Sequence, residues 1–178
     1  RQDSNWGKSV AMNMSAGNVE TAVSILNCEN RIKWDADANS SMGALLSDWS
    51  KSDHNISDRL ILTVKNKDVA AINHGARQYL KLEGKLTGSE IAVAGNHYMK
   101  GDKILITKTN KELGLINGDL AELVLASEGK LTIKLAGETK DQDKKISFNP
   151  SEYNGFRHGY ATTIFKAQGA SIADVYMF

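Results

Sequence analysis

Cysteine is almost missing from the 178 residues, with Cys28 as the single example. One thiol cannot form an internal disulfide framework, and such usage is typical of proteins from a reducing compartment. Metal-ligand spacing is missing too. The four histidines, at 54, 74, 97 and 158, lie far apart, with no cysteine pairs and no His-x-x-x-His pattern. The sequence therefore predicts neither a disulfide scaffold nor a metal site.

Long apolar segments are also missing. No run approaches the roughly 18 to 20 apolar residues of a membrane span, and no signal peptide opens the chain. The sequence therefore predicts no membrane partner, and its single cysteine fits a location in a reducing cytoplasm. Because the first residue is Arg1 rather than Met, we expect the chain to be a piece of a longer protein.

Two features of ATP-hydrolysing motors are missing as well. The sequence has no Gly-x-x-x-x-Gly-Lys-[Ser/Thr] loop to hold a triphosphate, and no pair of acidic residues at a strand end to hold Mg²⁺. By itself the chain is therefore expected to bind no cofactor and not to hydrolyse ATP.

Charge is locally separated along the chain. The net charge is only +1, yet residues 35–58 carry five Asp against one Lys, and residues 96–111 carry four Lys against one Asp. Such asymmetry permits a nucleic-acid-binding face on a protein that is not basic overall. With 41% hydrophobic residues, the chain can also bury a core as one domain, or as one domain with an insertion.

Apolar spacing in the first third of the chain is helical. Helices are predicted over 5–14 with Asn5 as the cap, after Asn18, and over 38–50, with a brief strand at 31–34.

A strand and a long helix follow. The continuous apolar run at 59–64 is typical of a buried parallel strand. A helix is predicted from 67 to about 83, with Asn66 as its N-cap and Gly84 at its end. Together they form a βα unit.

From about residue 90 the apolar period changes to two, which indicates short strands separated by tight turns. Five such strands predict a small barrel over 95–155. The predicted strands are 91–93, 103–107, 120–125, 131–135 and 146–148, with turns at Asn117-Gly118 and 127–130.

The helical period returns at 160–167, and a last strand is predicted at 175–178. Both this strand and 59–64 have the composition of buried parallel strands, so we expect them to share a sheet. The fold class is therefore α/β, a parallel sheet interrupted by a β insertion that the chain leaves near residue 156.

One segment of eleven residues, Gly159-Tyr-Ala-Thr-Thr-Ile-Phe-Lys-Ala-Gln-Gly169, resembles a motif of RecD-like superfamily 1 DNA helicases, T-[IV]-H-K-[SA]-Q-G. The match falls on Thr163, Ile164, Lys166, Ala167, Gln168 and Gly169. Phe165 stands where that family usually has His.

Three further blocks match in the order that the family uses. They are Arg1-Gln2, the unit from Leu62-Thr63 to Asn73, and the stretch of Gly101-Asp-Lys-Ile-Leu-Ile with Asn110, Leu113-Gly114 and Asn117-Gly-Asp119. Over nearly its whole length the chain thus resembles TraA-type conjugative relaxase-helicases of plasmid transfer.

The resemblance implies an incomplete RecA-like parallel-sheet domain with an inserted SH3-like β-barrel. Residues 1–94 would be the first part of a second motor domain, 95–155 the barrel, and 156–178 the return segment with the T-I-F-K-A-Q-G motif. The implied function is part of an ATP-dependent DNA helicase or translocase of conjugative transfer. Two alternatives stay open: a non-catalytic interaction module for relaxosome or secretion-channel proteins, and an autonomous single-strand nucleic-acid-binding domain.

The resemblance also implies a nucleotide interface. Arg1 would offer its guanidinium to the γ-phosphate of ATP, as a catalytic residue of the parent protein, where ATP and Mg²⁺ would be cofactors held with the upstream domain. Gln168 and Gly169 would approach the ribose. Ser171 occupies a position where relatives often carry an acidic residue.

Contacts to single-stranded DNA form the last implied group. Thr63 and Thr163 would each offer a hydroxyl and a nearby backbone N–H to a phosphate. The other implied DNA contacts are Asn66, Lys166 and, on the insertion, Lys108, Asn110 and Lys111, with Lys100 and Lys103 as further candidates for a cationic track and Tyr98 as a stacking partner. Phe165 is expected to pack in the core, with base stacking as the alternative. The upstream RecA-like and relaxase domains would be further partners.

Overall fold

The computed structural model describes residues 4–135, 143–168 and 172–178. The chain divides into two compact units, Arg1–Ser41 and Met42–Phe178. The first unit contains α1 (Asn5–Ser15) and α2 (Val19–Cys28).

Local contacts in the first unit correct two predictions. The Ser4 side chain, not Asn5, caps α1 by accepting a hydrogen bond from the Gly7 N–H at 3.1 Å. Residues 31–34 form no strand. Arg31 instead places its guanidinium 4.9 Å from the ring centre of Trp6, a cation–π contact.

A three-stranded parallel sheet organises the second unit. It consists of β1 (Arg59–Thr63), β9 (Ala161–Thr163) and β10 (Asp174–Met177), with β1 in the centre. Arg59 pairs with Asp174, and Thr63 pairs with Thr163. The expectation that the two apolar runs share one sheet is therefore confirmed.

Two helices, α3 (Ala38–Ser50) and α4 (Asn66–Leu82), contribute to the core of this layer. The spacing of Val69, Ile72, Ala76 and Leu80 puts all four on the buried face of α4. Lys65 rather than Asn66 is the N-cap residue, and Gly84 follows the helix with φ of 68°, the left-handed conformation expected there. Other core members are Trp49 and Tyr160, whose rings meet edge to face at 5.7 Å.

The antiparallel part has five strands in the order β7-β6-β5-β4-β8, and a separate hairpin. The five are β4 (Lys103–Ile106), β5 (Leu120–Ser127), β6 (Lys130–Leu135), β7 (Lys144–Phe148) and β8 (Phe156–His158); the hairpin is β2 (Thr87–Val93) with β3 (Asn96–Lys100). The inserted SH3-like barrel and the three domain boundaries remain predictions.

Alternating apolar residues give this part its own core, which includes Ile104, Leu115, Leu123, Leu131 and Ile133. All five side chains are almost completely buried. The antiparallel part is thus stabilised by a cluster separate from the one under the parallel sheet.

The prediction of a helix at 160–167 is wrong. Its first residues form β9, and a 3₁₀ turn follows at Ile164–Ala167. The chain passes between the two sheets at Gly159, whose N–H donates to the Lys103 carbonyl at 2.8 Å. A Cβ on Gly159 would lie 2.8 Å from the Leu105 nitrogen, so only glycine permits this close approach.

Within the described ranges, no helix combines the length and apolarity that a bilayer crossing requires. The same ranges contain no group of three or more His, Cys, Asp or Glu side chains placed to hold a metal ion.

Candidate nucleic-acid interface

Thr63 and Thr163 lie side by side at the carboxyl edge of the parallel sheet, where β1 and β9 end in register. They are 1% and 6% exposed, respectively. Ligands of open α/β sheets bind beyond this edge, at the carboxyl ends of strands. The two motif threonines, a hundred positions apart in sequence, are thus brought together where a ligand would be expected.

The chain segments that leave these two strands carry exposed groups of different chemistry. After β1 comes Asn66, the exposed first residue of α4. After β9 comes the 3₁₀ turn with Phe165, which is 77% exposed, and the exposed Lys166. The expected core packing of Phe165 is therefore wrong, because the turn points its ring into solvent. We call Thr63, Asn66, Thr163, Phe165 and Lys166 the carboxyl-edge cluster.

The nucleotide-facing residues are only partly described. Gln168 is exposed just after the 3₁₀ turn. Arg1, Gly169 and Ser171 lie outside the described residues.

The residues expected to form a cationic track on the insertion separate into two groups. Lys100, Lys108 and Lys111 are exposed, and the half-buried Asn110 accepts a hydrogen bond from the Leu113 N–H at 3.0 Å. Lys103 is different, since only 2% of its surface is exposed. The prediction that Lys103 belongs to an exposed track is wrong, because side chains alternate along β4 and that of Lys103 lies toward the parallel layer.

Tyr98 is also misassigned as a stacking partner for a base. It is 1% exposed, and its ring lies between Phe156 at 5.1 Å and His158 at 4.7 Å. Its aromatic surface is therefore used within the protein.

Lys103 joins β4 to the start of β1. Its ammonium donates hydrogen bonds to the backbone carbonyls of Ser57 at 3.0 Å and Arg59 at 2.6 Å. Burial lowers the pKa of Lys103 to about 8, an effect that nearby Asp58 partly opposes. A buried cation held mainly by carbonyls is costly, so the pKa shift has a consequence for stability.

Raising the pH from 8 to 10 is expected to increase the free energy of unfolding through Lys103. Its folded-state pKa lies below the ordinary value of 10.5, so in this window the unfolded chain holds a proton that the folded chain has released. The gain from one such group is at most about 1.4 kcal/mol per pH unit. Urea unfolding at several pH values should show a steeper rise in the wild type than in Lys103→Met. Equal slopes would contradict this account.

The rise in the free energy of unfolding is expected to end near pH 10, because buried tyrosines lower this free energy as the pH increases further. Burial raises the pKa of Tyr98 to about 12, so in more alkaline solution the folded chain keeps a proton that the unfolded chain loses. Stability then falls with pH.

Asn73 fixes the position of β9 relative to α4, a role that sequence reasoning missed. Its amide nitrogen donates to the carbonyls of Val69 at 2.9 Å and Ala161 at 3.0 Å. Its amide oxygen accepts from the N–H groups of Tyr160 at 2.9 Å and Ala161 at 3.0 Å. Because the bonded residues on β9 and before it lie two and three positions before Thr163, these bonds help to fix the carboxyl-edge cluster.

A buried charged network around Asp102 connects the antiparallel part to the parallel layer. The Asp102 carboxylate accepts hydrogen bonds from Arg77 Nε at 3.1 and 3.2 Å, from the Tyr160 hydroxyl at 2.6 Å and from the Met99 N–H at 2.6 Å. Arg77 also pairs with Glu90 at 2.8 Å. Burial disfavours the charge on Arg77, but these two carboxylates outweigh that effect and raise its pKa.

A groove of about 630 Å³ opens beside this network. One wall is formed by α4 residues between Asn66 and Lys81, both buried and exposed, and the other consists of the β2–β3 turn and β8. We call it the α4 groove. It begins at Asn66, which also belongs to the carboxyl-edge cluster, so the two surfaces are continuous.

The mixed α/β fold, with its parallel sheet, is similar to that of a solved helicase. The solved structure of the Bacteroides Pif1 helicase in complex with ADP-AlF3 and ssDNA matches 99% of this chain and 43% of its own, with a TM-score of 0.51 and 13% sequence identity. At that identity the match establishes the architecture alone.

The sequence is similar to conjugal transfer proteins named TraA. It is 30% identical over 178 residues to TraA of Rhizobium radiobacter and 28% identical to TraA of Agrobacterium fabrum. Both alignments cover 98% of this chain and 16% of the relative, so the chain spans about one sixth of the length of the relatives it matches. No family model matches. Similarity to TraA along nearly the whole chain confirms the resemblance drawn from the motifs.

Proposed function

We propose that this chain is the part of a conjugative DNA helicase or translocase that contacts single-stranded DNA with its carboxyl-edge cluster. The observation that carries the proposal is the side-by-side placement of Thr63 and Thr163, with Phe165 and Lys166 exposed immediately after them. A solved helicase of the same fold has single-stranded DNA in its complex, which supports a DNA ligand for this segment.

The cluster offers the contacts that a sequence-independent strand needs. Backbone N–H groups and hydroxyls at strand and helix ends bind phosphate oxygens, and Lys166 supplies a charge that releases counterions on binding. Phe165 presents an aromatic face on which any base stacks. We infer that Lys100, Lys108 and Lys111 add electrostatic attraction from the insertion.

The nucleotide interface belongs to the longer protein in this proposal. Gln168 and Gly169 approach the ribose, Ser171 lies beside it, and Arg1 reaches the γ-phosphate of an ATP and Mg²⁺ held by an upstream RecA-like domain. That domain, a relaxase domain and a cytoplasmic location are proposed on the similarity to TraA. The chain alone is expected to have no ATPase activity and at best millimolar affinity for ATP.

Two substitutions separate the stacking and ionic parts of binding. Phe165→Ala is expected to cost about 1 to 3 kcal/mol in affinity for oligothymidylate, with an unchanged salt dependence. Lys166→Gln is expected to flatten the slope of log K against log salt by about 0.7, the value for one lost phosphate contact on a single strand. Fluorescence anisotropy at several salt concentrations measures both.

Lys145→Gln is the matched control, because Lys145 is an exposed lysine on β7, an outer strand of the antiparallel sheet. It should leave the affinity and the slope nearly unchanged. Equal loss in Lys145→Gln and Lys166→Gln would show that binding is diffuse electrostatic attraction. Wild-type protein that does not bind the oligonucleotide would favour the interaction-module function instead.

A further inference from the structure

Arg157 is a cation of the α4 groove that has no acidic partner among the described residues. It lies on β8 opposite Leu105 and is half-buried. Its Nε and Nη2 atoms are buried and make no hydrogen bond to any described residue. Burial alone lowers the pKa of its guanidinium.

Other cations of the groove are paired. Arg77 contacts Asp102 and Glu90, and Lys81 contacts Glu90 at 3.3 Å. These carboxylates offset both charges. Within the described part of the chain, the charge on Arg157 therefore still requires an anion, since an unpaired cation removed from water costs several kcal/mol.

The rest of the groove suits an anion with many acceptor oxygens. His158 forms part of the lining but is fixed, since its Nε2–H donates to the His97 carbonyl at 3.0 Å. Burial lowers the pKa of His158, so near neutral pH it is an uncharged wall. Exposed amide groups of Asn66, Gln78 and Asn96 face the opening. Amide N–H groups and a guanidinium fork are donors that match phosphate geometry.

The length of the groove indicates a polymer. From Asn66 to Gln78 the face of α4 runs about 18 Å, at roughly 1.5 Å per residue. A single phosphate would occupy only part of that length. A strand held by the carboxyl-edge cluster can enter directly at Asn66, because that residue belongs to both surfaces.

We propose that Arg157 binds a backbone phosphate of a nucleic-acid strand that leaves the carboxyl-edge cluster at Asn66 and follows α4 through the groove. The source of the phosphate rests on the proposed function; the phosphate site itself rests on Arg157 and the groove. Binding leaves the unpaired guanidinium with a partner, and it adds a contact that only a longer strand can reach.

The test compares Arg157→Gln and Arg157→Lys with the Lys145→Gln control in the 178-residue chain. The probes are oligothymidylates of about 4 and about 16 nucleotides, the limits of common single-strand site sizes. In the wild type, affinity and salt slope should both increase with length. Arg157→Gln should bind the short probe normally and lose about 0.7 of the slope with the long one. Arg157→Lys should keep the slope while losing part of the affinity.

The stability of Arg157→Gln is a second measurement. A ligand-binding role and a structural role of Arg157 predict opposite changes in it. If Arg157 is held for a ligand, Arg157→Gln removes an uncompensated charge, and the urea midpoint should stay the same or rise. A lower midpoint, or a variant that does not fold, would overturn the proposal by showing that the guanidinium stabilises the free protein.

Outcomes separate this proposal from the function on which it partly rests. Loss of binding in Phe165→Ala and Lys166→Gln, with none in Arg157→Gln, would keep the function and overturn the groove. If the wild type binds neither oligonucleotide, NMR of the Arg157 Nε–H during titration with pyrophosphate decides: a saturable shift supports a site for free phosphate, and no shift overturns the site.

Discussion

Asp102→Asn is expected to lower the free energy of unfolding by about 3 to 5 kcal/mol, the usual loss when one member of a buried ion pair is removed. Asp102 is fully buried, and its carboxylate faces three donors, on Arg77, Tyr160 and Met99. An asparagine amide would turn two further N–H donors toward them. Arg77 would also keep only one carboxylate partner, the more exposed Glu90. Urea unfolding followed by circular dichroism measures the loss.

Asp53→Asn is the control, because it makes the same chemical change at an exposed position and should alter stability by less than about 0.5 kcal/mol. Arg77→Met combined with Asp102→Asn should lose less than the sum of the two single variants, since removing both charges leaves neither uncompensated. Additive losses would mean that the two side chains act independently.

Asn73→Ala is expected to cost about 2 to 4 kcal/mol, although alanine favours a helix more than asparagine does. The substitution leaves the N–H groups of Tyr160 and Ala161 and the Ala161 carbonyl without their side-chain partner in a buried position. Affinity for oligothymidylate should fall as well, because β9 then positions Thr163 less firmly.

Gln78→Ala is the matched variant on the same helix, since it also removes a side-chain amide but from an exposed position. It should change stability by less than about 0.5 kcal/mol. A similar loss in both variants would assign the effect of Asn73→Ala to the helix rather than to the contact with β9.

Elements with a long, regular apolar pattern could be predicted from the sequence. The helix at 67–83 differs from α4 by one residue at each end, and the run at 59–64 differs from β1 by one. Shorter elements could not be predicted so well. Residues 160–167 have apolar side chains at helical spacing, but the β-branched Thr162 and Thr163 pair with β1, and tertiary contact overrides the pattern. Strand β8 was not predicted either, because its three residues are too few to show an apolar pattern.

The candidate site was predictable only where motifs marked it. Thr63 and Thr163 belong to two separate blocks, and the resemblance gave both a phosphate role before any geometry was known. The exposure of Phe165 and the burial of Lys103 depend on which way a turn and a strand face, and no local sequence signal fixes either. Arg157 was missed for a similar reason, because an arginine without a carboxylate partner can be recognised only when its surroundings are seen.

The central place of β1 in its sheet also sets an order of events during synthesis. Its two neighbours, β9 and β10, begin at residues 161 and 174. A ribosome that adds about 5 to 20 residues per second needs roughly 5 to 20 s to reach β9 after completing β1. During that interval the antiparallel strands, whose pairing partners are mostly consecutive, can already associate. Until β9 and β10 are synthesised, Leu60, Ile61 and the apolar face of α4 lack the rest of their sheet. In the growing chain they therefore form an exposed apolar surface to which a chaperone would bind.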